Sequence, residues 1–257
     1  MRRYERNDNM DYKKTENILE LIHFQKDLVR QYWRYMNQLV KERYKNAALL
    51  TYWLRDYLQY LKAEVTFNPS FNITYKRGQI VYVNFGYRIG SELGGCHYAI
   101  VLDVKNSKSN SQLTVVPMKS KRDKTTPYSK IYHVDLGEEV KSLLIDKAVS
   151  ILEPLEAKIN DMISTHGLSG IQKNKELQNE LASFKRQFQQ AKKTCEFAEN
   201  KLNNESIADV GQICTVSKIR ILHPVKKQDV LTGVCLSEES LKRIEDKVKF
   251  LYFGNNS

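Results

Sequence analysis

The sequence predicts an α+β protein, a small β-rich domain preceded by helices and interrupted by a helical hairpin. Three observations carry this reading. Apolar residues recur at the i, i+3, i+4 spacing of a helical face from about residue 15 to 65, and again over 138–204. Short runs of β-branched and aromatic residues, bounded by Gly, Asn and Ser clusters, fill the stretches between and after them. At 257 residues, 41% hydrophobic and 28% charged, the chain has ordinary globular usage and room for one core with large appendages. The expected organisation is an N-terminal helical extension (1–66), a β domain in two pieces (67–136 with 206–257) and an inserted hairpin (137–205).

The elements follow in order. Leu21, Leu28, Tyr32, Met36 and Leu39 form one helical stripe, and Leu50, Trp53, Leu54, Tyr57, Leu58 and Leu61 a second, with Asn46 as the expected break. Asn68-Pro69-Ser70-Phe71-Asn72 is a turn. Strands are expected at Gln79–Phe85, His97–Asp103, Leu113–Pro117 and Lys130–Leu136, the first two joined by the glycine-rich loop Gly86–Gly95. Leu177, Leu181, Phe184, Phe188, Ala191, Cys195, Ala198 and Leu202 then alternate steps of four and three, a coiled-coil-like seam. Leu144, Ala148, Ile151, Leu155, Ile159 and Met162 form a looser one, with Pro154 expected to kink or start its helix and Gly167–Gly170 to turn an antiparallel hairpin. Strand texture returns at Ala208–Arg220 and Val230–Val234. A last helix is capped by Ser237 and buries Leu241, Ile244, Val248 and Leu251.

Composition narrows the function. No apolar run reaches the ~20 residues that span a bilayer, and no apolar segment follows the basic N-terminus as in a secretory signal. Cys96, Cys195, Cys214 and Cys235 lie far apart with no C-x-x-C pair, so they read as reduced thiols of a cytoplasmic protein, with no metal or cofactor expected. A net charge of +11 points to a polyanionic partner, nucleic acid first, and to no membrane.

Four segments in order then resemble the PemK/MazF toxin family. They are Lys76-Arg77-Gly78 leading into Gln79–Gly86, then Gly90-Ser91-Glu92-Leu93-Gly94-Gly95 before Tyr98–Leu102, then Val115-Val116-Pro117-Met118, and finally Ser206-Ile207-Ala208 through Gln212–Arg220. The resemblance implies an SH3-like barrel with a C-terminal helix, usually dimeric. It also implies a metal-independent endoribonuclease that cuts single-stranded RNA through the ribose 2′-OH and is restrained by an antitoxin protein. Such chemistry needs a base near the 2′-OH, an acid near the leaving oxygen and donors on the phosphate.

The matching positions depart from the family at its catalytic residues. Where the family has the Arg of an Arg-Pro pair, this chain has His97; where it has a Thr after the Val-Pro strand, Lys119; where it has an Arg in the last segment, Cys214. The resulting expectation makes His97 a general acid or base, with Lys119 and Ser120 stabilising the phosphorane-like transition state. Arg77, Tyr87, Lys121, Arg122, Gln212 and Arg220 are expected to contact RNA, and Gly90, Ser91 and Glu92 to shape the loop. Two other functions fit the same segments: a nucleic-acid-binding module that has lost the chemistry, and a toxin that poisons a protein such as gyrase. Convergence of His97 and Lys119 on one groove is the feature that favours an enzyme.

Overall fold

The computed structural model describes residues 14–121, 128–201, 205–227 and 229–254. They fall into two units divided between Gln59 and Tyr60. The first holds α1 (Thr15–Glu42) and most of α2 (Tyr44–Glu64). The break lies at Arg43, whose dihedrals leave the helical region, rather than at Asn46, which belongs to the first turn of α2.

The second unit is built on β1 (Ile80–Asn84), β2 (Cys96–Val101), β3 (Gln112–Ser120), β4 (His133–Gly137), β5 (Ser206–Asp209), β6 (Cys214–Ser217) and β7 (Ile221–His223). All pairs are antiparallel in the order β4-β5-β3-β2-β1-β7, with β6 added on β3. Nine-residue β3 organises the sheet. Its start pairs with β6, its middle with β2, and Met118–Ser120 with β5.

Alternation along the strands fills two cores. Ile80, Ile100, Val116 and Met118 enter one, with Leu144 of α3 (Glu139–Lys173) and Ile244 of α5 (Glu238–Tyr252). Val81, Val83, Phe85, Ala99, Val101 and Val115 enter the other, with Tyr75, Val216 and Ile221. Covered on both faces, β1 reads as a near-continuous apolar run.

The closed barrel implied by the resemblance is not formed. The sheet stays open between β4 and β7. Immediately after β4 the chain enters α3, and β7 is three residues long and followed by Pro224, which has no N–H to extend a ladder. The expected strand at Val230–Val234 is a turn. Thr232 N–H donates to Asp229 C=O at 3.0 Å, Gly233 takes φ 77°, and Val230, Leu231 and Val234 are buried as turn residues. Likewise Ala208–Arg220 is broken by 3-10 turns at Val210–Gln212 and Lys218–Arg220.

The inserted helices form a hairpin, α3 packing along α4 (Lys175–Lys201). Pro154 lies inside α3 with helical dihedrals on either side, and the kink is at Gly167. A second break follows at Asn174, whose Oδ1 accepts the Glu176 N–H at 2.9 Å as a helix cap. On α4, Leu177, Leu181, Phe184, Phe188 and Cys195 are half-buried and Ala191 fully buried. Ala198 and Leu202 lie outside the described side chains. Ser237 caps α5, its Oγ accepting the Ser240 N–H at 3.2 Å.

Candidate active site

The β1–β2 loop is drawn shut by two backbone bonds, Phe85 N–H to Gly95 C=O at 2.8 Å and Gly95 N–H to Gly86 C=O at 2.7 Å. Gly94 makes the closure possible, because a Cβ there would stand 2.7 Å from the Gly86 carbonyl oxygen. A strap reaches the loop from the turn after β5. Gln212 Nε2 donates to Ser91 C=O and its Oε1 accepts the Leu93 N–H, both at 3.3 Å. Between loop and strap lies a cleft of about 190 Å³ whose lining includes Phe85, Arg88, Pro117, Gln212 and Cys214.

The charged residues of the cleft lining are Arg88 and Glu92, and Arg220 lies close to Arg88. Arg88 is fixed by its Nε bond to Phe85 C=O at 3.0 Å, and among the described residues its one ion-pair partner is the exposed Glu92 at 3.6 Å, a weak restraint. Arg220 donates from Nε to Asn84 C=O at 2.9 Å. Burial and the adjacent Arg88 charge push its guanidinium below its ordinary range, although it stays cationic. Both cations lie near Cys214. Burial raises its thiol despite both arginines, so it is protonated and neutral near pH 7.

His97 pairs with Val83 across β1–β2 and alternates onto the face shared by Val83, Ala99 and the cleft residue Phe85. Its Nε2 is 3.0 Å from Gly94 C=O. A carbonyl only accepts, so Nε2 is the donor of that bond.

Residues 76–159 match the PemK-like, MazF-like toxin family of type II toxin-antitoxin systems. The chain carries a PemK-like, MazF-like toxin domain. No curated protein matches it. The matched stretch spans β1 to β4 and the first part of α3, so Gln212 and Cys214 reach the toxin domain's cleft from outside the match. Among the described residues, no helix is long and apolar enough to cross a membrane.

Of the residues expected to act together, the toxin domain gathers His97, Tyr87, Gly90, Ser91, Glu92, Gln212 and Arg220 around the β1–β2 loop. Lys119 goes elsewhere. It alternates toward the same face as Pro117, but from Met118 onward β3 has left β2 for β5. There the Lys119 ammonium lies 2.9 Å from both Asp209 Oδ2 and His133 Nε2, and it does not line the cleft. Ser120 pairs with Ser206 beside it. Lys121 meets Asp135 at 2.7 Å and Glu205 as well, and these two carboxylates raise its pKa. Arg77 binds Leu102 C=O at 2.8 Å and Glu245 of α5, a tie within the fold. Arg122 lies outside the described residues. Arg88 was not anticipated, and its one signal is that it is the sole cation of the 86–95 loop.

Proposed function

We propose that the toxin domain is a metal-independent endoribonuclease cutting single-stranded RNA through the ribose 2′-OH. The observation that carries this reading is the closeness of Arg88 and Arg220 to each other and to a neutral Cys214, with Arg88 and Cys214 lining the cleft beside the β1–β2 loop that leads to His97. Two guanidiniums supply the charge that an RNA phosphodiester and its phosphorane-like transition state require. In the reaction His97 Nδ1 accepts the 2′-OH proton as the 2′-oxygen attacks phosphorus. The P–O5′ bond breaks, the 5′-oxygen takes a proton from water, and a 2′,3′-cyclic phosphate remains. Gln212 and Glu92 hold the loop, and Tyr87 offers a half-buried ring to a flanking base. A type II toxin of this family implies an antitoxin protein as partner, and a homodimer is consistent with it.

One observation favours the non-catalytic reading. At the position of the family's Thr, the Lys119 charge is already satisfied by Asp209. The deciding experiment incubates the protein with a single-stranded RNA in EDTA and examines the ends. The proposal expects 2′,3′-cyclic phosphate and 5′-OH termini, with one 2′-deoxy substitution blocking its own site. RNA that is bound but left intact overturns the enzyme and leaves a binding module.

A further inference from the structure

At the far end of β1 from the cleft lies a second and larger concavity, about 790 Å³, which none of the chemistry above uses. Gln79 and Phe85 bracket β1, so at about 3.3 Å per residue the two sites stand roughly 20 Å apart. The groove is framed by the 3-10 turn Pro69–Phe71, the loop before β3 and the segment after β7. Its frame is pinned in place: Ile73 N–H donates to Val225 C=O at 3.1 Å, Tyr75 Oη to Pro224 C=O at 2.8 Å, and Thr232 Oγ1 to Lys226 C=O at 2.9 Å.

Its chemistry is one-sided. Lys76, Lys108, Lys226 and Lys227 line it, no acidic residue does, and none of the four makes an ion pair among the described residues. Elsewhere on the domain Arg77, Lys119 and Lys121 are all paired with carboxylates. A fifth cation, the wholly buried Lys218, donates to Ser107 C=O at 2.9 Å and lies over the Tyr75 ring, again without an ion-pair partner among the described residues. On the floor Gln79 is 2% exposed; its Oε1 accepts the Lys76 N–H, while its Nε2 finds no acceptor among the described residues. On the rim Phe71 is 81% exposed.

We infer that this groove binds a single-stranded RNA segment outside the cleavage cleft. Lysines take the phosphates, Phe71 stacks a base, and Gln79 Nε2 donates to a base or ribose oxygen. An acidic peptide would satisfy the lysines but leaves the exposed ring without a function. The inference rests on the ribonuclease reading for its ligand, and it extends the RNA footprint beyond the scissile phosphate.

The test measures binding of a labelled 2′-O-methyl oligonucleotide, which has no free 2′-OH and cannot be cut, to the full chain as salt is varied. Lys226→Ala/Lys227→Ala is expected to weaken binding about tenfold or more. It should also lower the salt slope by about 1.4, since each single-strand phosphate that a lysine neutralises adds about 0.7. Phe71→Ala weakens binding without changing that slope. Lys76→Ala/Lys108→Ala on the opposite wall repeats the first result. Wild-type affinity and slope in both lysine variants would overturn the groove even if RNA is cleaved. Loss of affinity in them upholds the groove even if cleavage is absent. A wild-type protein that binds poly-glutamate but not the oligonucleotide also overturns it.

Discussion

Arg88 and Arg220 repel one another in the structure as it stands, and an anion between them turns that repulsion into attraction. A residue near both favours the incoming anion when it is neutral, and the raised thiol of Cys214 is. Cys214→Ser is expected to leave RNA cleavage within a few-fold of wild type, whereas Cys214→Asp cancels one positive charge and lowers the rate by about 10²-fold or more; single-turnover cleavage separates the two. A second residue sets a pH response. Burial, and then the Lys119 charge, hold the His133 pKa below its ordinary value against the pull of Asp209, with the Tyr128 ring 5.8 Å away. The unfolded chain thus takes up a proton near pH 6.5 that the native state refuses. Stability is full above that pH and falls as pH drops through the lowered native value. His133→Asn keeps an acceptor for the Ser129 N–H and removes the ring, so urea unfolding at pH 7.5 and 5 should show a smaller acid loss than in wild type.

At the scale of the element, the β1–β2 loop holds the site together. Gly94→Ala places a Cβ against backbone atoms of Gly86 and Arg88 that cannot yield, a cost of about 1–3 kcal/mol, and it displaces both Arg88 and the His97 acceptor. We expect a melting temperature lower by a few degrees, with a larger loss of cleavage than Gly90→Ala, where a Cβ meets open space and only the φ of 63° opposes it. In the hairpin, Asn174→Ala removes the α4 cap and costs about 1 kcal/mol, readable by urea unfolding. The sequence told of these elements unevenly. Periodicity found both hairpin helices and the α4 seam, because burial on one face imposes a spacing that any reader can count. It found the break at Gly167, whose φ of 62° leaves the helix, and missed the second at Asn174, whose side chain caps α4. Val230–Val234 read as a strand because its residues are buried, and burial alone does not distinguish a core turn from a ladder.

For the whole molecule, the net charge of +11 signalled a polyanion, but not where it would sit. Among the described residues Arg77, Lys119 and Lys121 are neutralised by carboxylates, whereas the four lysines of the groove make no ion pair. That division depends on pairs such as Lys119 with Asp209 and Lys121 with Asp135, between residues far apart in sequence, which local patterns do not encode. For the same reason the resemblance pointed to His97 and the glycine-rich loop yet gave no hint that β3 would carry Lys119 away, or that Arg88 would lie near Cys214. The most direct test of the account is single-turnover cleavage of a single-stranded RNA in EDTA by wild type, Arg88→Ala and His97→Ala. It predicts metal-free cleavage by wild type, a rate about 10²–10³-fold lower for Arg88→Ala, and a comparable or larger loss for His97→Ala. Wild-type rates in both variants would contradict it.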